Sequence, residues 1–569
     1  MTGLLGMAAA NAATLLAAHE LLRRIRTGVP GVDLILFLLL RFTLASLVTL
    51  LALGTGMFTS SALGLLGAAG LAALLAAGAH RRLPRWRLPD VPPLLLAAAA
   101  LVAARLVFQV WFFAPVIPDV LAYHLPKVGE WVVHGRMTGE LGPDLRANFP
   151  AGFELLESWW CVFLHHDVLI EMAGVEFLAL AAAATYALAR WVDLDVKAAA
   201  FAALLTALTP GLHLQATTCL NDGAMAALAL STVVLLVHRV HPGLVLFALG
   251  LAMGVKPTTA YVVPGLALLA WMLRKEPLRS SPSRGTIAMI AVAGLAVGGF
   301  WYARNVVVHG NPVYPMTRQG MTDSNGSVTL PSHPGVEHLR ENFVKFADRR
   351  LMDRGAEPGA LTPFGAGWGP AAVCCGVAAL LAQLRESRRL RLLSIAFVVA
   401  MAGVFASVLS DPWFLRFVLF FPALPAIAAA RMAAAQRGVR WITSACAAFC
   451  FLSTTIPAEM PVGALSDLAR QPWRTRVSFP LAGLPDRGRP LAAMGGSRAN
   501  FYLLYGPDFS RRVAFVRVGT PEELRARLRQ ESITDLYSSS RSVPAVREAL
   551  EQGWLRRTIG LFLEVRPDP

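Results

Sequence analysis

Charge is scarce in this sequence. Only 15% of its 569 residues are Asp, Glu, Lys or Arg, while 55% are hydrophobic. Lysine is confined to Lys127, Lys197, Lys256, Lys275 and Lys345. Such a balance excludes a soluble chain, because one core could not hide so much apolar surface. Cysteine is also sparse: Cys161, Cys219, Cys374, Cys375, Cys446 and Cys450 all sit in or beside apolar segments, and the polar C-terminal region has none. That argues against a disulfide framework or a zinc cluster. A basic n-region and a cleavage site are missing at the start, so Leu4–His19 reads as a retained span. No basic stripe with interleaved aromatics is present, so the net charge of +16 does not imply nucleic acid. Internal repeats and histidines at zinc or triad spacing are lacking as well.

What is present is a succession of apolar blocks, each near the ~20 residues that cross a bilayer as a helix. Candidate spans fall at 3–19, 33–55, 61–79, 92–113, 168–190, 197–215, 222–239, 243–255, 257–273, 285–303, 367–384, 391–409, 413–430 and 440–457. The expected fold class is therefore mainly α: a polytopic bundle of about 13–14 spans, with outer loop helices and a small C-terminal α/β domain. Arginine clusters orient it. Arg23, Arg24 and Arg26; Arg81, Arg82, Arg85 and Arg87; Arg274, Lys275, Arg279 and Arg284; Arg385, Arg388, Arg389 and Arg391; and Arg431, Arg437 and Arg440 share one parity. The positive-inside bias places all five in the cytoplasm. Outer loops 114–167 and 302–366 and the tail then lie outside. Alanine- and arginine-rich, lysine-poor usage points by composition to a high-GC bacterium, so the setting expected is a bacterial cytoplasmic (inner) membrane.

Three regions follow: N-terminal extra helices at 1–90, a membrane core at 91–457 and an extracytoplasmic domain at 458–569. Within the first outer loop, Phe153–Leu164 is apolar, too short to cross, and carries Glu154 and Glu157, which predicts a helix lying at the membrane interface. In the tail, Pro490–Met494, Arg512–Val518, Ile533–Tyr537 and Leu555–Val565 read as strands, alternating with helices at Pro521–Gln530 and Val543–Gln552. A partly parallel sheet is expected. The Gly495–Gly496–Ser497 turn lacks a full glycine fingerprint and reads as part of a capping domain.

A few charged residues stand where charge is costly. Asp119 follows Pro118 where a span emerges on the outer side, and a carboxylate there needs a partner or a task. Tyr123 is four residues on, sharing a helical face, with His124, Lys127 and Glu130 close by. As a general base, Asp119 would take a proton from a hydroxyl; as a cap, it would serve the helix start. Asn221 and Asp222 bring a second carboxylate to the same side, where it caps a helix, shares a divalent metal with Asp119, or divides acid and base roles. Lys256 interrupts two apolar segments and predicts a phosphate or carboxylate partner. Arg304 and Asn305 close a span behind Trp301 and Tyr302, which read as interfacial anchors. Arg416 follows Asp411-Pro412-Trp413. Each arginine alone can snorkel to headgroups, but three cations at one level suit an anionic lipid head.

Together these strings resemble the type C glycosyltransferases, membrane enzymes that use polyprenyl-phosphate sugar donors. Asp119-Val-Leu-Ala-Tyr123-His124-Leu-Pro126 is similar to their first outer loop. Phe149-Pro150-Ala-Gly152-Phe-Glu154, Asn221-Asp222, Gly254-Val-Lys256-Pro-Thr, Trp301-Tyr302-Ala-Arg304-Asn305, Gly310-Asn311-Pro312-Val313-Tyr314-Pro315 and Leu504-Tyr505-Gly506-Pro507 follow in the order of bacterial members. The resemblance covers roughly residues 100–515. It implies that Asp119 acts as base or orients the acceptor, with Asp222 as a second acidic residue. It also implies that Lys256, Arg304 and Arg416 hold the lipid-linked phosphate. Tyr123, His124, Lys127, Glu154, Asn221 and Asn305 complete the expected substrate-binding set. The implied partners are a polyprenyl-phosphate-linked sugar, a glycan, lipid or protein acceptor, and membrane lipids. A paired acidic motif is missing, since Val120 follows Asp119, which argues against metal dependence and leaves a divalent metal as an open alternative. Three rivals share features: a lipid-linked sugar flippase predicts inverted repeats, a polysaccharide polymerase or ligase predicts catalytic Arg and His in the large outer loop, and a scaffold predicts silent Asp119 variants.

Overall fold

The computed structural model describes residues 2–83, 90–139, 141–142, 144–279, 283–317, 320–322, 328–330, 335–347, 369, 371–408, 414–453, 466, 468–471, 476, 488–495, 500–539, 543–558 and 560–566. Arg85, Arg87, Asp411–Trp413, Gly496 and Ser497 lie outside them, as do residues 348–368 and most of 454–487.

Leu- and Ala-rich blocks give helices, and local chemistry sets their ends. The N-terminal group is α1 (Thr2–Ile25), α2 (Pro30–Thr55) and α3 (Ser60–Ala76), followed by α4 (Pro93–Phe112). Pro30 and Pro93 occupy first-turn positions, where a missing N–H costs nothing. Thr59 caps α3, and Gly56 in the left-handed region ends α2. The first outer loop folds into a π-turn at Val120–His124, α5 (Leu125–His134), a 3-10 turn at Leu145–Asn148 and α6 (Gly152–Val162). The bundle continues through α7 (Met172–Trp191), α8 (Val196–Ala207), α9 (Pro210–Gln215), α10 (Asp222–Val237), α11 (Pro242–Val255), α12 (Val263–Met272) and α13 (Arg284–His309). After short strands β1 (Met316–Thr317), β2 (Gly320–Thr322) and β3 (Val328–Leu330) come α14 (Val336–Ala347), α15 (Ala378–Gln383), α16 (Arg388–Ser407), α17 (Ala423–Ala435) and α18 (Arg437–Ser453).

Among the described residues, six helices are long and apolar enough to cross a membrane, and six shorter apolar helices accompany them. Every expected span contains a helix. The segment expected at 197–215 is broken at Pro210 into α8 and α9. In hydrocarbon, close backbone approach replaces the hydrophobic effect as the glue between helices. Gly254 of α11 meets Gly298 of α13 so closely that a Cβ would stand 2.5 Å from the facing Cα. Helix α2 ties the N-terminal group to the core by packing on α6 and α7. At one end of the bundle Glu20 pairs with both Arg23 and Arg82. Gly31 rests on Ala187 near that end of α7, where the Arg389 guanidinium lies over the Trp191 ring.

Two sequence expectations need correction. Helix α6 is not an interfacial helix: ten of its eleven residues are buried, with α2, α5, α7 and α11 around it. Its carboxylates face inward, and Glu154 meets Lys127 Nζ at 2.7 Å. Trp301 is no interfacial anchor either. It is fully buried and stacked on Trp131, 5.6 Å between ring centroids, while the Tyr302 hydroxyl donates to the Met253 carbonyl.

The tail forms β4 (Leu491–Met494), β5 (Val513–Phe515), α19 (Pro521–Gln530), β6 (Asp535–Ser538), α20 (Pro544–Glu551), β7 (Leu555–Arg557) and β8 (Phe562–Val565). The sheet order is β5-β4-β6-β8-β7. β4 runs parallel to β5 and β6, whereas β8 is antiparallel to β6 and β7. The single strand expected at Leu555–Val565 is thus a hairpin, turning around Gly560 at positive φ.

Candidate active site

Asp119 sits at the head of the π-turn, and its side chain makes no capping bond. Two guanidinium groups hold its carboxylate instead. Arg146 Nη1 donates to Oδ1 and Arg416 Nη1 to Oδ2, each at 3.2 Å. About a quarter of the Asp119 side chain stays open. Burial alone would raise this carboxyl, but Arg416 and Arg146 outweigh it and hold it below the usual range.

Arg416 also reaches the second carboxylate. Its Nε lies 3.7 Å from Asp222 Oδ2, and Asp222 is fully buried at the start of α10. Lys256 Nζ pairs with Asp222 Oδ1 and donates to Asn221 Oδ1 at 3.0 Å. Gln215 Nε2 donates to Asp222 Oδ2 at 3.3 Å, and Asn221 Nδ2 donates to the Val255 carbonyl at 3.2 Å. Beneath both cations lies Phe417, 4.8 Å from Lys256 Nζ and 5.2 Å from the Arg416 guanidinium carbon. Asp119, Asn221, Asp222, Lys256 and Arg416, four separate stretches of sequence, therefore meet at one place.

Arg146 and Asp144 join them, and sequence reasoning missed both. Arg146 holds Asp144 through Nε and Nη2 (3.1 and 2.8 Å) and stacks its guanidinium 4.3 Å from the Tyr123 ring centre. The one available signal was parity: Arg146 is an arginine on the side opposite the five basic clusters. Three cations (Arg146, Lys256, Arg416) face three carboxylates (Asp119, Asp144, Asp222), so the site is neutral as it stands. Donor capacity remains, however. Among the described residues, Arg416 Nη1 makes one hydrogen bond and its Nε makes none, out of five N–H donors on a guanidinium. A divalent ion shared by Asp119 and Asp222 does not fit, because Arg416 already stands between them. The described residues also hold no cluster of three metal-ligating side chains.

His124, Lys127 and Glu154 form a second cluster, one turn behind. Glu154 Oε1 accepts from Lys127 Nζ at 2.7 Å and from His124 Nδ1 at 2.8 Å. Burial would raise Glu154, but Lys127 and then His124 bring it down to about 2. Burial lowers His124 despite Glu154, which favours its neutral form. Tyr123, with its ring 4.4 Å from that of His124, connects the two clusters.

Arg304 and Asn305 go elsewhere. Arg304 donates to Asn148 Oδ1 and the Gly139 carbonyl, and Asn305 Nδ2 to the Asn148 and Tyr314 carbonyls. His309 completes this knot by bonding Asn148 and stacking on Tyr314. The knot fastens the 3-10 turn that carries Arg146, so Arg304 supports the site from behind and does not face the Arg416–Lys256 pair.

No family model and no curated protein matches this sequence. Among solved structures, ArnT from Cupriavidus metallidurans in the apo state matches with a TM-score of 0.50 and 14% identity, covering 83% of this chain and 99% of that one. ArnT bound to undecaprenyl phosphate gives 0.49 over the same shares, also at 14% identity. The Archaeoglobus fulgidus oligosaccharyltransferase gives 0.38 and 12% identity over 78% and 69% of the two chains. This chain has the fold of the type C membrane glycosyltransferases.

Proposed function

We propose that this protein is a glycosyltransferase that moves a hexosyl or pentosyl group from a polyprenyl-phosphate donor to an acceptor hydroxyl at the outer face of a bacterial cytoplasmic membrane. Loops 114–167 and 302–366 and the C-terminal domain lie outside the cytoplasm in this reading. The observation that carries it is Arg416, held between Asp119 and the Asp222–Lys256 pair. One cation there can meet a donor phosphate while touching the carboxylate that faces the acceptor. The fold supports the reading, and ArnT, which shares that fold, has been crystallised with undecaprenyl phosphate.

The donor phosphate sits against Lys256 and the unused N–H groups of Arg416, with Phe417 flooring the site. The acceptor hydroxyl donates to Asp119, and its oxygen attacks the anomeric carbon from the side opposite the phosphate. The new C–O bond forms as the C–O bond to phosphate breaks, the hydroxyl proton passes to Asp119, and polyprenyl phosphate leaves. A single displacement inverts the anomeric centre. Fixed cations aimed at the leaving phosphate supply the charge stabilisation that usually contributes most. Asp222 keeps Lys256 extended toward the site.

The test is sugar transfer by purified, reconstituted protein from a pool of polyprenyl-phosphate sugars, wild type against Asp119→Asn. A positioned base contributes about 10²–10⁴-fold, so the variant should lose that much. Transfer that survives at wild-type rate removes Asp119 from the mechanism. Lipid binding with no transfer from any donor overturns the enzyme in favour of a flippase.

A further inference from the structure

The C-terminal domain is joined to the first outer loop by a short strap, residues 500–511, that contains the 3-10 turn Phe501–Tyr505. That turn packs against both the π-turn 120–124, directly after Asp119, and α5. The Tyr505 ring fills the space left by the missing side chain of Gly129, where a Cβ would stand 2.6 Å from Tyr505 Cδ2. Its hydroxyl donates to Glu130 Oε1 at 2.6 Å, and the pair is buried. Tyr502 donates to Asp167 Oδ2 at 3.2 Å, and the Asp167 N–H donates to the Pro507 carbonyl at 2.8 Å. Arg517, beyond the strap, donates to the Gly142 carbonyl at 2.8 Å. Arg511, itself buried, braces the strap through the Leu504 carbonyl.

Asp119, the π-turn and α5 form one continuous helical stretch, so whatever fixes residues 129–130 fixes the direction in which the Asp119 carboxylate leaves the backbone. A π-turn has looser backbone geometry than an α-turn and gains most from such a brace. Burial and Glu130 both push the Tyr505 hydroxyl well above its usual range, so it stays a donor at every working pH.

We infer that Tyr505, supplied by the C-terminal domain, is a positioning residue for Asp119. Its ring wedges against Gly129 and its hydroxyl ties Glu130, so that the domain is part of the catalytic arrangement and not only a cap. This rests on the glycosyltransferase reading for its kinetic consequence, but not for its structural one.

The experiment uses full-length reconstituted protein with Tyr505→Ala, Tyr505→Phe, Gly129→Ala and the double variant Gly129→Ala/Tyr505→Ala. Three quantities are read: amide exchange over residues 118–134, undecaprenyl phosphate binding, and kcat with KM for transfer. Tyr505→Ala should speed exchange over 118–134 and lower kcat on the order of 100-fold, the effect of about 1 Å of misplacement. Lipid binding should stay within about two-fold, since Lys256 and Arg416 lie on other elements. Tyr505→Phe keeps the wedge and should lose about ten-fold. Gly129→Ala should behave like Tyr505→Ala, and the double variant should recover part of the loss, because the new methyl enters the space the ring vacates. Unchanged exchange in Tyr505→Ala overturns the inference. So does a loss of lipid binding and kcat in equal measure, which marks general unfolding. If the wild type transfers no sugar, faster exchange confined to 118–134 still supports the brace, while the reading of the site as an enzyme falls.

Discussion

Lys256 has two jobs in this reading, and they can be separated. It neutralises Asp222, which is fully buried, and it offers charge to a donor phosphate. Lys256→Met keeps most of the length of the side chain and removes the charge. Asp222 then retains Gln215 at 3.3 Å and Arg416 at 3.7 Å. Breaking a buried pair outright costs about 3–5 kcal/mol. With Arg416 still near, the cost should fall to about 2–3 kcal/mol. Asp222→Asn should cost a similar ~2 kcal/mol, since Lys256 keeps its bond to Asn221 and its place over Phe417. In the double variant neither charge is stranded, so stability should return to within about 1 kcal/mol of wild type, a coupling of roughly 3–5 kcal/mol.

Phosphate binding should follow a different order. Losing one of two cations should cost about 2–3 kcal/mol, or roughly 30- to 160-fold in affinity, in Lys256→Met and equally in the double variant. Asp222→Asn removes a competing carboxylate and should bind as well as wild type or better. Thermal unfolding in detergent and titration with undecaprenyl phosphate measure the two properties on the same samples. A double variant that is stable yet does not bind establishes the second job. One that binds as wild type does makes Lys256 purely structural and refutes the phosphate site as drawn.

Two further predictions concern the cluster behind the site. Glu154→Gln strands the buried Lys127 ammonium, since Glu154 is the carboxylate it pairs with. It should destabilise by about 3–5 kcal/mol, seen as a lowered midpoint in thermal unfolding, and Lys127→Met added to it should restore most of the loss. His124 is held below its ordinary range in the folded state, so the unfolded chain binds the extra proton first as pH falls. Stability should therefore be fully present above the ordinary histidine value of about 6.5 and should decline as pH drops from there toward the folded value. His124→Gln should flatten that slope in melts taken between pH 7 and 5, and an unchanged slope would assign it to another group.

The membrane helices were legible because a bilayer demands about 20 apolar residues whatever the tertiary context, and prolines and glycines mark the ends. Helix α6 was misread for a non-local reason. Two glutamates on a short apolar run look amphipathic until Lys127 and His124 arrive from 27 and 30 residues away to bury Glu154. Trp301 failed in the same way, since its partner Trp131 lies on another element. The site followed a rule that charge among apolar neighbours is costly, and this singled out Asp119, Asp222, Lys256 and Arg416. The same rule singled out Arg304, which the structure ties instead to Asn148 and Gly139. The rule detects cost, and partners lie beyond it. Arg146 and Asp144 sit in a polar loop where charge costs little, so the rule passed over both, and parity alone marked Arg146.

Arg416 touching both carboxylates has a consequence for when Asp119 becomes a base. Before a donor binds, Arg416 and Arg146 hold the Asp119 carboxyl below its usual range, a state suited to accepting a hydrogen bond but poor at removing a proton. A donor phosphate, a diester, brings one negative charge against Arg416. That shared cation then stabilises the Asp119 carboxylate less, and the new anion nearby disfavours it further, so both effects raise its pKa toward the range where a base works best. In the proposed mechanism donor binding thus activates the base, and an acceptor or a water arriving first meets only a weak one. The sign can be read in the pH dependence. The acid limb of kcat/KM for the acceptor, measured without donor saturation, reports the free enzyme and should lie below the usual carboxylate range. The acid limb of kcat at saturating donor reports the complex and should lie higher. Arg416→Lys keeps the charge but loses the fork that spans both carboxylates, and should draw the two limbs together. Coincident limbs in the wild type would mean that Arg416 does not transmit donor binding to Asp119.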